Sequence, residues 1–402
     1  MTLGMGFAIA LMSKAAQDSK AASLIISPHY EQRERFERRV NKVFDTAKDD
    51  DRTDLYTRVR PGVAFTYGDK ISGDFTYQYA HDWFWQKTGN DSTDNSDLLL
   101  GYVSYANAGG KTTVGRQRLI KGNERLIGES GWNNVSNSFD LIRYQGQGAD
   151  LFAGRIGVQA SESQAQRIAG ASYDSSIGET MLVGTHNITK GLSNDLATLD
   201  QLYRQKLGNT RLDLEAASQL GHTGDTQQRS WALSGRVTQA ITPRFSGYIE
   251  ANAASGGVLS DGTTTAFNNL YPTNHQYYGT ADLQGWSNMG EIAAELGYKV
   301  SPALRVSSEY HHYWLHDATD AWYGNSGTIN KFGSTSYIDP SGAYGKDIGQ
   351  EISIEAIWNY TKGTQLSTGI ADFMPGRFVK SFVPAGDQIR QIWAYAQVNV
   401  KF

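Results

Sequence analysis

Side chains able to do chemistry are spread along this chain at a spacing of two. Arg58 and Arg60 are separated by one residue, and so are Arg211 and Asp213, and Glu309 and His311; Glu291 and Glu295 keep the same parity at a spacing of four. An even spacing on an extended chain puts both groups on one face. Rows of guanidinium and carboxylate on one face bind or steer polar solutes; they do not by themselves make a nucleophile. The densest metal-type cluster is His311, His312 and His316. On a strand His311 and His312 point to opposite sides, so they cannot share an ion as a helical pair would. Acidic clusters at Asp45, Asp49, Asp50, Asp51 and Asp54, and at Asp91, Asp94 and Asp97, lack the glycine and glutamate positions of a calcium-binding EF-hand loop and read as solvated loop charge. No serine-hydrolase elbow, zinc-protease helix motif or phosphate loop is present, so the chain is not expected to be an enzyme, nor to need a cofactor or metal.

The elements that carry these rows are strands. Clear alternating segments are 55–67, 70–83, 150–159, 209–219, 228–241, 244–254, 289–300, 303–315, 348–360 and 389–402. Weaker ones are 23–36, 97–106, 111–119, 138–145, 166–174, 178–187, 197–206 and 364–373. Together they make eighteen strands of a length that crosses a bilayer at a tilt. Short connections such as Gly68-Asp69, 107–110, Thr242-Pro243 and Ser301-Pro302 alternate with longer ones such as 37–54, 120–137, 220–227, 255–288, 316–347 and 374–388. Tight turns on one rim and larger loops on the other specify an all-β, up-and-down antiparallel transmembrane β-barrel with short periplasmic turns and long extracellular loops. The last segment alternates from Ile392 to Phe402, and is expected to close the barrel against the first strand at the periplasmic rim, with a terminal aromatic of the kind that insertion machinery reads.

Composition agrees. The chain has 402 residues, 43 Gly, 22 Tyr, 9 Trp and no Cys, a net charge of −4 and a mean hydropathy of −0.47. No apolar run is long enough for a membrane helix. Zero Cys excludes disulfides and thiolate metal sites, and the near-neutral charge argues against nucleic acid. Residues 3–12 resemble the apolar core of a signal peptide, with Ser19-Lys20-Ala21 as a cleavage site. Residues 1–22 are therefore set apart as a signal-like or disordered segment, and 23–402 as one barrel domain.

Within each strand the more apolar parity is taken as lipid-facing, because an outward Arg or Lys costs roughly 2–4 kcal/mol at the bilayer midplane. This places Arg58, Arg60, Arg143, Arg155, Arg236, Arg305, Glu295 and Glu309 inside, with Phe152 and Ile156 outside; Arg116 has ambiguous parity and is included with the lining. Arginines dominate the first half of the lumen and glutamates the second, which sets a transverse field suited to hydroxyl-rich solutes and gives no clear basic surplus for a polyanion.

Three blocks resemble the alginate-export family: TVGRQRLIKGNERLIGESGWNN followed by SFDLIRYQG (113–146), FNNLYPTNHQYYGTADLQGWSNM (267–289) and GQEISIEAIWNYTKGTQLSTGIADFMPGRF (349–378). The resemblance covers nearly the whole chain. It implies an eighteen-stranded barrel in the bacterial outer membrane with an inward-folded, arginine-bearing conduit. It also implies that Arg125 lies in an inward loop narrowing the channel, and that His275 and Asp282 organise a large loop in the mouth. The function expected is a channel for a hydrophilic solute, either an anionic polysaccharide such as alginate or a related saccharide or organic acid. A barrel anchoring loops that bind a partner at the cell surface stays open as the alternative. The partners expected are outer-membrane lipid and lipopolysaccharide, the solute, and a periplasmic protein if one feeds the pore; the barrel is expected to be a monomer.

Overall fold

The computed structural model describes residues 23–44, 50–84, 95–157, 166–189, 192–332, 334–383 and 390–402. The signal-like segment and the acidic residues Asp45, Asp49, Asp91 and Asp94 lie outside them. The barrel strands are β1 (Leu24–Val40), β2 (Arg52–Tyr67), β3 (Ile71–Phe84), β4 (Asn95–Asn107), β5 (Gly110–Gln117), β6 (Phe139–Gly146), β7 (Ala149–Ile156), β8 (Gln166–Ser175) and β9 (Gly178–Thr189). They continue as β10 (Leu192–Leu207), β11 (Thr210–Thr223), β12 (Thr226–Ala240), β13 (Phe245–Ala254), β14 (Met289–Lys299), β15 (Leu304–Trp314), β16 (Asp347–Thr361), β17 (Thr364–Pro375) and β18 (Gln391–Lys401). Each pairs antiparallel with the next, and β18 returns to β1 from Glu31↔Lys401 to Val40↔Ile392. The sheet is closed, so no edge strand is left with unpaired amides in lipid.

Turn chemistry fixes the periplasmic rim. Gly68 and Gly208 take φ of 59° and 60°, which favours glycine. Asn107 Oδ1 accepts from the backbone of Gly109 and Gly110. The two hydroxyl-proline corners use one device: Thr242 Oγ1 accepts from the amides of Arg244 and Phe245, and Ser301 Oγ from those of Ala303 and Leu304. On the opposite rim the expected loop at 220–227 is instead a tight turn. β11 and β12 pair up to Thr223↔Thr226, because both strands run on past the membrane-spanning length.

The outer face carries Val63, Phe75, Ile142, Leu151, Leu182, Leu199, Leu233, Ile249, Ile292 and Ile354 in the open, the apolar band that a bilayer covers. Aromatic rings mark its lower edge: Tyr30 stacks on Phe402 at 5.0 Å, and Trp358 meets Tyr360 edge-on at 5.1 Å.

The inner space is filled by protein. The β5–β6 connection reaches β1 and β2 through Gly131, Trp132 and Asn133, β7 through Lys121, and β13 through Arg125. A segment that touches both sides of a barrel must cross its lumen. Leu119, Leu126 and Ile127 of this connection pack with Tyr277, Tyr278 and Trp286 of the β13–β14 connection and with Phe139, Leu141, Phe152, Ile156, Ile168, Met181 and Val183 of the wall. Each large apolar side chain so buried contributes about 1.5–3 kcal/mol.

That packing corrects the expected orientation of β7. Phe152 is 4% exposed and lies inside against the loop, so Leu151, Ala153 and Arg155 point outward. The same register sets Arg116 outward: Thr113 of β5 is buried inside, bonded to Ser104, and Arg116 has the opposite parity. The more apolar parity faces lipid only where the lumen holds water; here it holds an apolar loop.

Candidate conduit and its lining

The inner face of β1 and β2 is a file of arginines. Arg33, Arg35, Arg39, Arg52, Arg58 and Arg60 share the inward parity. Arg33 and Arg58 are directly opposite each other, and like charges so placed repel. Two things hold them. Glu31 accepts from Arg58 at 2.5 Å and lies 3.3 Å from Arg60. The crossing loop supplies carbonyls: Arg33 donates to Gly131 O and Asn133 O at 3.0 Å each, and Arg58 donates to the same oxygens at 3.0 and 2.9 Å. Arg60 donates to Gln78 and Ser136, and Arg35 to Trp132 O at 2.7 Å. These arginines clamp the loop to the wall.

Arg125 sits at the far end of that loop, 2% exposed. It donates to Glu250 at 2.8 Å and to the Tyr278 hydroxyl at 3.0 Å, and stacks 3.8 Å over the Tyr277 ring. Arg236 bonds the other oxygen of Glu250. Arg143 and Lys121 share Asp150. Arg305 meets Glu295 at 2.6 Å, and Glu309 takes the Tyr248 hydroxyl at 3.2 Å and lies 3.4 Å from His311. His311 also meets Glu291 inside the barrel, whereas His312 faces Asp347 on the outside. Arg116 and Arg155 converge on Asp140, on the outer surface.

His275 and Asp282 pair at 2.9 Å within the β13–β14 connection. The imidazole stacks on Trp132 at 3.8 Å and 5°, so this pair also braces the crossing loop. Burial alone would push the His275 imidazolium down, but the Asp282 carboxylate outweighs it and leaves the group raised above its ordinary value. Burial would raise Asp282, and the His275 charge instead holds it below the usual carboxylate range. The histidine's contribution to stability is therefore full below the ordinary imidazole value and is lost as pH rises through the raised one. The aspartate's is full above the ordinary carboxylate value and is lost as pH falls through the lowered one. We expect stability to decline on the alkaline side as His275 loses its proton, and His275→Gln to flatten that limb. Urea-unfolding midpoints from about pH 6 to about pH 10 check this; parallel pH profiles for the two proteins would refute it.

Between β1, β2 and the loops lies a cavity of about 1020 Å³. Arg35, Glu37, Arg39, Lys42, Arg52, Asp54, Asp282 and Lys331 are the charged members of its lining, five basic against three acidic. Trp132, Tyr56 and several asparagine amides also line it, beside an apolar wall that includes Phe44, Leu283 and Trp322. Sequence reasoning misses Arg33, Arg35, Arg39 and Arg52. The signal is there: in 31–39, EQRERFERR, the odd positions hold Glu31, Arg33, Arg35, Glu37 and Arg39, with Phe36 on the other parity.

The fold matches solved outer-membrane porins at low identity. A BenF-like porin from Pseudomonas fluorescens Pf-5 aligns with TM-score 0.62 and 11% identity over 94% of this chain and 98% of that one. Pseudomonas aeruginosa OccK2 (OpdF) in complex with glucuronate gives 0.58 and 10% over 94% and 96%. Pseudomonas aeruginosa OpdK with vanillate gives 0.59 and 11% over 94% and 98%. No curated protein matches the sequence. The family model described as alginate export matches residues 26–390, which takes in every inward arginine of β1 and β2, the crossing loop and the His275–Asp282 pair. This outer-membrane channel belongs to the alginate-export family.

Proposed function

We propose that the channel carries a small saccharide acid or organic acid rather than a long polyanion. One observation supports this above the others: the cavity at the outer mouth has a basic surplus of only two side chains, five less three. Arg35 and Arg39 also have fixed neighbours, the Trp132 ring at 3.9 Å and Ala281 O at 2.6 Å. Such a site meets one carboxylate with a guanidinium fork, its sugar face with an aromatic ring and its hydroxyls with amides. Glucuronate and vanillate, the solutes named for two of the similar structures, each carry one carboxylate. A polymer with a charge on every residue would require cations along the full path, and deeper in the lumen Arg125, Arg143, Arg236 and Arg305 are each set against a carboxylate.

The test is conductance of the refolded protein in a planar bilayer, with reversal potential under a salt gradient. We expect weak anion preference, block by monomeric uronate, and loss of that block in Arg39→Ala. Block by oligouronate alone would favour the polymer. A conducting channel indifferent to both would overturn the reading.

A further inference from the structure

The outer surface carries a row of charge that the conduit does not use. Arg116, Asp140, Arg155, Arg167, His186, Asp195 and His222 are successive cross-strand partners from β5 to β11. All have the outward parity, since Gln117, Phe139, Ile156, Ile168, Thr185 and Leu196 next to them are buried inside, and Gly221 beside His222 pairs with Leu196. The row lies within a few residues of the extracellular strand ends; Arg155 is one residue from the end of β7 and Arg167 one residue into β8. That is the height of lipid headgroups, where an outward arginine costs far less than at the midplane.

The row is not self-satisfied at its centre. Arg116 is neutralised by Asp97 at 2.9 Å and Asp140 at 2.7 Å. Asp195 lies between His186 at 2.5 Å and His222 at 3.7 Å. Arg155 reaches Asp140 at only 3.3 Å, with 70% of its side chain exposed. Arg167 stands directly opposite it and has no ion pair among the described residues. Two arginines facing each other across a strand pair repel unless an anion lies between them. Arg38 and Arg390 on the same rim differ, sitting on Asp51 and Asp372, while Arg229 of β12 also lacks an ion pair among the described residues but faces Leu220 rather than a second arginine. Directly below the two arginines the outward row is Ile142, Ala153, Ala169, Gly184, Ala197 and Leu220. Ile142 and Leu220 are both 63% exposed, and a Cβ added at Gly184 would meet nothing closer than 3.9 Å. In the next outward row only Ala171 of β8 is small, between the exposed Leu151 and Leu182, so the shelf of small residues opens downward as a trough along β8.

We propose that Arg155 and Arg167 bind a phosphate of lipopolysaccharide, with an acyl chain of its lipid A laid in the trough below. Bidentate guanidinium–phosphate geometry suits a pair of arginines on adjacent strands.

Native mass spectrometry of the full-length detergent-solubilised protein tests this, with bisphosphoryl lipid A and its dephosphorylated counterpart as probes. We expect the wild type to retain the phosphorylated form, Arg155→Ala/Arg167→Ala to bind it about 10-fold more weakly, and Arg38→Ala to match the wild type. A heat-modifiable band and unchanged conductance show that the double variant is folded; if it is not, Arg167→Gln alone is compared. Equal retention by wild type and variant, or indifference to the phosphates, overturns the proposal. So does a wild-type oligomer that the double variant converts to monomer, which would make the row a contact between copies.

Discussion

Replacing Arg125 by alanine should destabilise the barrel by about 3–5 kcal/mol and widen the conducting path, the largest single-residue effect we expect. The guanidinium is enclosed by Glu250, Glu215, Tyr277 and Tyr278, on three different segments of the chain. Removing it leaves Glu215 with the Asn123 amide, and Glu250 with Arg236 and Asn252. Breaking a buried ion pair costs more than the pair contributes, because the remaining charge has lost its partner in a low-dielectric setting. The crossing loop also loses its attachment to β13. Urea unfolding followed by tryptophan fluorescence reads the first effect and single-channel conductance the second. The double variant Arg125→Met/Glu215→Gln should recover part of the loss, since Glu250 keeps Arg236 while Glu215 has no other ion pair among the described residues. A single variant within about 0.5 kcal/mol of wild type, with unchanged conductance, would show that the loop is held elsewhere.

The second large effect is expected from Arg33→Ala/Arg58→Ala. Four guanidinium-to-carbonyl bonds to Gly131 and Asn133 disappear together. Hydrogen bonds to charged groups contribute about 1.5–3 kcal/mol each in favourable settings, so the balance between docked and released loop should move by at least about 100-fold. The expected result is higher and noisier conductance with little change in ion selectivity. From sequence alone Arg58 reads as a selectivity residue, whose loss would shift the reversal potential. The structure gives it a positioning role, because its guanidinium is taken up by Glu31 and by the carbonyls of Gly131 and Asn133. A shifted reversal potential at unchanged conductance would restore the selectivity reading.

These two cases show what kind of information the sequence carries. All eighteen strands overlap their expected ranges, since period-two alternation and turn residues are local properties written within a dozen residues. The crossing of the 118–138 loop is legible only through family resemblance, as is the organising role of His275 and Asp282. What alternation cannot reveal is occupancy of the lumen. Phe152 and Ile156 read as lipid-facing by composition, and they are apolar because a folded loop presses on them. The orientation of Arg155 and Arg116 is hidden for that reason. The arginines of β1 escape notice because 23–36 alternates weakly: Gln32, Glu34 and Arg38 stand on its outward face, with Glu34 held there by Gln32 and Thr57.

The closure of the barrel and the seating of its filter are one event. β1 and β18 are the strands whose pairing completes the cylinder, and they also hold the loop's anchors. Arg33 and Arg35 project from β1, while Trp393 and Tyr395 of β18 form an aromatic wall against Trp132 at 5.9 and 5.0 Å. Trp393 also donates to Glu37 of β1 at 3.0 Å, stapling the seam from within. A cylinder with its seam still parted offers the loop only half its seat. During biogenesis, then, an unsealed intermediate would be an unfiltered one, and the step that seals the wall against lipid is the step that restricts what crosses it.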